Sequence, residues 1–163
     1  LFRSHPTIAE DMSHKAIYIV RDPRQVAASL SAFQAMPAEQ VVDLMNDPDA
    51  KLGGEKAFQF LATWSQHVAS WSKTALRLDY RALPGDFAKV IWHLGWSPHP
   101  VRLARAIEFS SLERLVTEER EGRFSEARET RFFGATTHAL SPALCQRIER
   151  DHGDVMRYLR YLP

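Results

Sequence analysis

The chain has 163 residues, 45% apolar and 25% charged, which is typical of one globular domain with its own core. Its 21 basic and 20 acidic side chains leave a net charge of +1, which argues against a polybasic nucleic-acid-binding arm and an acidic solvating tail. The single cysteine excludes an intrachain disulfide, and neither a secretory signal nor an apolar run of about 20 residues is seen, so we expect a cytoplasmic protein with no membrane partner.

The first predicted element is a buried strand over residues 16–20, an apolar run too short for a helix. A turn follows, because Asp22 precedes a proline and is pushed out of the helical region of backbone space. Asp22 is therefore predicted to cap a helix over residues 24–33, with Pro23 at its first position.

The middle of the chain is predicted to contain one long helix and a second strand. Residues 37–54 are rich in Asp, Asn, Pro and Gly and are predicted as a loop with a short helix at 39–45. Apolar residues recur at helical spacing over 55–73, which predicts a core-facing helix. On that helix we favour core packing for Trp64, His67 and Trp71. Residues 75–80 alternate in polarity and are predicted as a strand.

Helices dominate the predicted C-terminal half. One is predicted over 84–94, ended by Gly95, and a short one around 101–107. A serine-capped helix over 110–121 and a mobile loop over 122–139 follow. The last helix is predicted to begin at Ser141-Pro142 and to continue to Leu159, with Gly153 as the position where it could break.

This order predicts an α/β fold, a parallel sheet flanked by helices, in a single domain over residues 1–163. Because a free-standing sheet usually has about four to six strands and only two are predicted, we expect further strands upstream of Leu1.

The end of the first strand is the strongest candidate site in the chain. In open parallel sheets ligands bind beyond the carboxyl ends of the strands, where Arg21 lies. The N–H groups and dipole of the next helix favour an anion, and a guanidinium offers a fork of donors to two phosphate oxygens. Ser29 reaches the same anion if the chain turns sharply after the strand. The alternative is that Arg21 pairs with a local carboxylate such as Asp22, and that Ser29 has no binding role.

The segment from Tyr18 to Leu30 resembles the 3′-phosphate-binding motif of the sulfotransferases that use 3′-phosphoadenosine 5′-phosphosulfate (PAPS). In that family an arginine closes a strand and a serine eight residues later joins it on the 3′-phosphate, and Arg21 and Ser29 occupy those positions. The similarity continues in the same order along most of the chain. The further matching segments are Phe2-Arg3-Ser4-His5-Pro6 (the family's Lys-Thr-His), Trp64-Ser65-Gln66-His67-Val68 with Trp71, Leu78-Asp79-Tyr80 (the adenine-side tyrosine) and Ser110-Ser111-Leu112 (Thr-Ser-Phe).

The chain departs from the family pattern at three places. The 5′-phosphosulfate loop would precede Leu1, and no Gly-x-x-x-x-Gly-Lys-Ser segment replaces it. Arg3 stands where the family usually has lysine, and a guanidinium does not readily donate a proton. The C-terminal Arg-Lys-Gly-x-x-Gly loop is only echoed in residues 128–134, where Arg128 and Arg131 are cofactor-binding candidates, with surface charge as the alternative role.

The resemblance implies a nucleotide-kinase-like (P-loop-type) fold, with the N-terminal strand and the phosphosulfate loop missing from this chain. It implies transfer of a sulfuryl group from PAPS to a hydroxyl or amine of a small-molecule acceptor, with adenosine 3′,5′-bisphosphate (PAP) as product and no metal required. His5 would deprotonate the acceptor and Arg3 would stabilise the developing charge. The cofactor-binding residues that the resemblance implies are Arg21, Ser29, Tyr80, Ser110, Arg128 and Arg131.

Alternatives stay open at each level. Tyr80 is equally compatible with a core residue whose hydroxyl is bonded, Ser110 with a helix cap, and His5 alone with an ordinary surface residue. The whole chain is also compatible with a non-catalytic, truncated sulfotransferase remnant. A nucleotide-kinase-type phosphotransferase shares the layered fold, but it requires a Walker-type lysine and a magnesium-binding carboxylate that the sequence does not display. The acceptor and the oligomeric state are not predicted.

Overall fold

The computed structural model describes residues 15–54, 57–73, 75–123 and 139–163. These divide into two compact units, one containing the described residues up to Arg81 together with 139–163, the other containing residues 82–123. The elements, in chain order, are β1 (Ile17–Val20), α1 (Pro23–Gln34), α2 (Ala38–Asn46), β2 (Lys51–Gly54), β3 (Ala57–Phe60), α3 (Trp64–Trp71), β4 (Leu76–Asp79), a 3₁₀ turn (Tyr80–Ala82), α4 (Phe87–His93), α5 (Pro100–Phe109), α6 (Leu112–Arg120) and α7 (Pro142–Tyr158).

The two predicted strands pair in parallel, as the α/β prediction requires. In the register of β1 and β4, Ile17 lies opposite Leu76 and Val20 lies opposite Asp79. Both strands therefore end at the same edge, and the residues that follow them, Arg21 and Tyr80, emerge side by side.

The prediction of a single long helix over residues 55–73 is wrong. Residues 57–60 instead form β3, which pairs antiparallel with β2, and Lys51 lies opposite Phe60. The helix α3 begins only at Trp64, because Thr63 and Gln66 form a reciprocal capping box: the Thr63 side chain accepts from the Gln66 N–H, and the Gln66 side chain accepts from the Thr63 N–H. Pairing with the preceding strand β2 therefore outweighs the helical spacing of apolar residues before this cap.

Two of the predicted helix starts are confirmed by their caps. The Asp22 side chain accepts a hydrogen bond from the Arg24 N–H, with Pro23 at the first helical position, and Ser141 caps α7 in the same way ahead of Pro142. The helix α6 is capped by Ser111, one residue beyond the predicted Ser110. The helix α7 continues unbroken through Gly153, because this residue and its neighbours His152 and Met156 pack in the interior.

The core of the first unit lies between β1 and helices α1, α2, α3 and α7. Its buried side chains include Val41 and Val42 from α2, Val68 from α3, and Ile148 and Met156 from α7. Burying a side chain of this size contributes roughly 1.5–3 kcal/mol of hydrophobic free energy. Trp64 also belongs to this core, which confirms the packing role predicted for it. The helix that follows β1 is thereby held firmly against α7, and this fixes the edge of the sheet where Arg21 lies.

The second unit is helical in its described part. The helix α4 begins three residues later than predicted and ends ahead of Gly95, whose φ of +85° fits a glycine at a helix end. The helices α5 and α6 contact each other and are joined by Ser110 and Ser111. Among the described residues, no helix has the length and apolar character to cross a membrane.

Candidate functional site

Arg21 and Tyr80 meet at the carboxyl edge of the parallel pair β1 and β4. The guanidinium carbon of Arg21 lies 4.5 Å from the centroid of the Tyr80 ring, which is cation–π geometry. The Tyr80 side chain is 49% exposed, so its prediction as a core residue is wrong. A cation resting on an open aromatic ring at this edge offers both charge and a stacking surface to a ligand.

The Arg21 guanidinium forms a hydrogen bond through Nε, whereas its terminal amino groups have no acceptor among the described residues. Its Nε donates a 3.0 Å hydrogen bond to Oε1 of Gln25, one turn into α1. Within the described part of the chain, Arg21 forms no ion pair, and its two terminal amino groups have no acceptor. These amino groups form the fork that binds two oxygens of a phosphate or carboxylate.

Asp22 pairs with Arg24, so the alternative prediction that Arg21 pairs with Asp22 is wrong. Arg24 Nη2 lies 2.7 Å from Asp22 Oδ2, and Nε donates to Oδ1 at 3.0 Å. The same guanidinium reaches α7, where Nη1 lies 2.6 Å from Glu149 Oε1, and Nη2 donates to the Tyr161 carbonyl at 3.2 Å. The hydrogen bond to Asp22 raises the pKa of Arg24 further above its ordinary value. The charge of Asp22 is thereby balanced without Arg21.

The start of α1 is not open to an anion in the way that the sequence predicted. Pro23 has no N–H, the Arg24 N–H is taken by the Asp22 carboxylate, and the Val26 N–H donates to the Asp22 carbonyl. An acidic cap occupies the position that a bound anion would take. An anion at this edge would therefore be bound mainly by side chains, above all by that of Arg21.

The charge of Asp79, at the end of β4, is also balanced by an arginine, in this case Arg81. Arg81 pairs with Asp79 through Nη2 at 2.5 Å and lowers the pKa of that carboxyl. The Arg81 guanidinium also lies 4.2 Å from the centroid of the Tyr161 ring and donates to the Leu159 carbonyl. Both carboxylates at the edge are thus paired, which leaves the positive charge of Arg21 unopposed by them.

Ser29 lies on the same face of α1 as Gln25, one turn further along, because residues four apart on a helix are neighbours. It is partly buried, and within the described residues its hydroxyl has no hydrogen-bond partner. Gln25 and Ser29 therefore lie on one face of α1, and Arg21, which precedes the Asp22 cap, is linked to that face by its hydrogen bond to Gln25. The sequence singled out Arg21 and Ser29 but did not predict the hydrogen bond from Arg21 to Gln25.

The other predicted site residues lie in the second unit or outside the described part of the chain. Ser110 lies in the second unit, and its Oγ donates to the Ala106 carbonyl at 2.8 Å, so its contact with adenine stays a prediction. The helix cap proposed for Ser110 belongs to Ser111. The remaining predicted residues lie outside the described part of the chain: Arg3, His5, Arg128 and Arg131.

His67 and Trp71 pack inside the first unit, as predicted. The Tyr18 hydroxyl and His67 Nδ1 are 3.0 Å apart, and the Tyr18 ring stacks on Trp71 with centroids 5.9 Å apart. Burial lowers the pKa of His67 to about 4, so its imidazole is neutral near pH 7. On α7, His152 is buried against Trp64, and its Nδ1 lies 2.9 Å from Ser65 Oγ. These histidines therefore have structural roles.

No known protein family and no curated protein sequence matches the chain. Among solved structures, the chain is similar to the mouse sulfotransferase SULT7A1 complexed with PAP, with a TM-score of 0.64 and 18% identity over 91% of this chain and 60% of that one. It is also similar to retinol dehydratase in complex with androsterone and inactive cofactor PAP, with a TM-score of 0.60 and 19% identity over 87% of this chain and 47% of that one.

The chain therefore spans between 47% and 60% of the length of these two proteins. At such identities the similarity establishes the fold. The chain has the α/β fold of these two proteins, with a parallel sheet flanked by helices, which confirms the predicted fold class.

Proposed function

We propose that the chain is a sulfotransferase domain that uses PAPS as sulfuryl donor and a hydroxyl or amine of a small molecule as acceptor. The observation that carries the proposal is the position of Arg21 and the contacts of its guanidinium. Its fork has no partner among the described residues, it rests on Tyr80, and it lies where parallel α/β sheets bind ligands. The two similar structures, both with PAP bound, support the same fold-level assignment.

The residues at this edge fit a nucleotide that carries a 3′-phosphate. Arg21 would donate hydrogen bonds from its terminal amino groups to two phosphate oxygens, and the Ser29 hydroxyl would donate to the same phosphate. The half-exposed ring of Tyr80 would lie against the adenine. Because Asp22 and Asp79 are neutralised by Arg24 and Arg81, they would not repel a dianion. The bound nucleotide supplies the activated sulfuryl group, and these side chains bind and orient it.

The catalytic roles rest on the resemblance of the N-terminal segment. In the proposal His5 takes the proton of the acceptor, for which a neutral imidazole near pH 7 is suited. Arg3 stabilises negative charge on the transferred group as a fixed cation, so no metal is required. Ser110, Arg128 and Arg131 complete the proposed cofactor contacts.

The experiment that tests this function is a thermal-shift comparison of PAP with ATP plus magnesium, followed by an assay for sulfuryl transfer. Preferential stabilisation by PAP is expected, because ATP lacks the 3′-phosphate that Arg21 and Ser29 would bind. Preferential stabilisation by ATP with magnesium would overturn the proposal in favour of a nucleotide-kinase-type enzyme. Binding of PAP without transfer to any acceptor would indicate a non-catalytic remnant.

A further inference from the structure

We propose that Tyr161 is a positioning residue whose hydroxyl holds the ends of β1 and β4 together, so that Arg21 and Tyr80 stay side by side for the nucleotide. The inference rests on the function proposed above and deepens it, because it gives the segment after α7 a role at the ligand edge. Its basis is the place of the Tyr161 hydroxyl at the last residues of the two strands.

The Tyr161 hydroxyl interacts with both strand ends. It donates a 3.3 Å hydrogen bond to the Val20 carbonyl, and it also interacts with the side chain of Asp79. Val20 and Asp79 lie opposite each other in the register of β1 and β4. Arg21 directly follows Val20, and Tyr80 directly follows Asp79. A contact that fixes these two strand ends therefore also fixes the backbone from which both candidate ligand-binding side chains emerge.

Tyr161 is itself held in place. Only 8% of the residue is exposed, and its N–H donates to the Met156 carbonyl at 2.8 Å. Its carbonyl accepts a 3.2 Å hydrogen bond from Arg24, and the Arg81 guanidinium lies 4.2 Å from the centroid of its ring. Arg24 belongs to the segment that follows β1, and Arg81 to the segment that follows β4. Tyr161 thus contacts the chain beyond both strand ends as well as the ends themselves.

The hydroxyl keeps its proton at neutral pH, because burial raises the pKa of Tyr161 to about 12. Since Tyr161 is buried, it would act on a ligand only through Arg21 and Tyr80, whose guanidinium carbon and ring centroid lie 4.5 Å apart. Side chains that are already held in position lose less conformational freedom when a nucleotide binds. The hydroxyl is therefore expected to improve the affinity for PAP without touching it.

The test is titration calorimetry with PAP on wild type, Tyr161→Phe, Tyr158→Phe, Arg21→Ala and the double variant of Tyr161→Phe with Arg21→Ala, each first shown to be folded by circular dichroism. Tyr161→Phe removes one hydroxyl and keeps the ring that packs against Arg81, so the fold is expected to be retained. It should bind PAP about three- to tenfold more weakly than wild type.

Tyr158→Phe is the matched control. Tyr158 is the last residue of α7, it is 69% exposed, and its ring contact with Arg77 does not require the hydroxyl. This variant should bind PAP as wild type does. Equal losses in Tyr158→Phe and Tyr161→Phe would overturn the inference, because the effect would then not depend on the strand ends.

The double variant distinguishes positioning from a merely structural role. A residue that acts through Arg21 has less to position once that side chain is removed, so the combined loss of PAP affinity should be smaller than the product of the two single losses. A combined loss equal to that product would show that Tyr161 acts independently of Arg21 and would overturn the inference.

The outcomes also separate this inference from the proposed function. If wild type does not bind PAP, the proposed function fails, and the positioning role fails with it. If wild type binds PAP, Arg21→Ala binds it more weakly and Tyr161→Phe binds it as tightly as wild type, only the positioning role fails.

Discussion

The Arg21 guanidinium lies 4.5 Å from the centroid of the Tyr80 ring, although the two residues belong to segments far apart in the chain. They meet because β1 and β4 are parallel and end in register at Val20 and Asp79. Tyr80 and Arg21 therefore have separable roles at one edge, one offering a ring surface and the other a charged fork.

Replacing Tyr80 with alanine should weaken the binding of adenosine 5′-phosphate by about tenfold, because stacking of one base on an aromatic ring is worth roughly 1–3 kcal/mol. PAP binding should weaken by at least as much, because Tyr80 also supports Arg21. Tyr80→Phe should bind as wild type, since the hydroxyl has no hydrogen-bond partner within the described residues. Titration calorimetry measures both. A loss confined to PAP would contradict stacking and would reduce Tyr80 to a support for Arg21.

Ser29→Ala should weaken PAP binding and at the same time slightly stabilise the protein. Removing a hydroxyl donor to a charged phosphate should weaken PAP binding about tenfold, and binding of adenosine 5′-phosphate should not change. The free energy of unfolding should rise by up to about 0.5 kcal/mol, because alanine has the higher helix propensity and the hydroxyl has no partner in the described structure. Unchanged PAP affinity, with the variant folded, would remove Ser29 from the site.

Arg24 is expected to stabilise the fold. Arg24→Ala removes the partner of Asp22, whose side chain is 13% exposed, and of Glu149, whose side chain is 34% exposed, and it cuts the link from α1 to the Tyr161 carbonyl. We expect the free energy of unfolding to fall by about 2 kcal/mol, measured by urea denaturation. The control is Arg157→Ala, whose exposed pair with Asp154 should contribute below about 0.5 kcal/mol. Equal changes in the two variants would argue against a structural role for the Arg24 network.

Acid should destabilise the protein through its buried histidines. The pKa of His67 is lowered to about 4 by burial, whereas an unfolded histidine titrates near 6.5. Between these values the unfolded chain binds a proton that the folded chain does not. The contribution of His67 is therefore fully present above about pH 6.5 and is lost as the pH falls towards 4, at up to about 1.4 kcal/mol per pH unit. Burial also lowers the pKa of His152, which adds in the same direction.

Urea unfolding of wild type and His67→Gln at about pH 7 and about pH 5 measures this effect. The loss of stability should be smaller in His67→Gln, which has no group to titrate at that position. The carboxyls of Asp79 and Asp151 do not confound the comparison, because their lowered pKa values place their own losses below this window. Identical pH dependence in the two proteins would show that His67 is not held neutral by burial.

Local chemistry was enough to predict the elements around the site. The Asp22-Pro23 and Ser141-Pro142 pairs set the starts of α1 and α7, and a short apolar run set β1. The β2–β3 hairpin could not be predicted in this way, because its strands are stabilised by pairing with each other, while the apolar residues of β3 also fit a helical spacing.

For the candidate site, the sequence suggested which residues to consider but not the contacts that they make. The spacing of Arg21 and Ser29 was visible in the sequence, whereas the choice of Arg24 over Arg21 as the partner of Asp22 was not. The position of Arg24 beside Asp22 depends on its further contacts with Glu149 and the Tyr161 carbonyl. Both of these lie near the C-terminus, in α7 and just after it. Long-range contacts of this kind decide which charge is left for a ligand.

The most direct test of the proposed site is titration calorimetry of PAP and adenosine 5′-phosphate with wild type and Arg21→Ala, each first shown to be folded by circular dichroism. Charge-assisted hydrogen bonds contribute about 1.5–3 kcal/mol each, so PAP should bind Arg21→Ala roughly ten- to a hundredfold more weakly, while adenosine 5′-phosphate binds both proteins equally. Equal affinity of the two proteins for PAP would contradict the assignment of Arg21 to the 3′-phosphate.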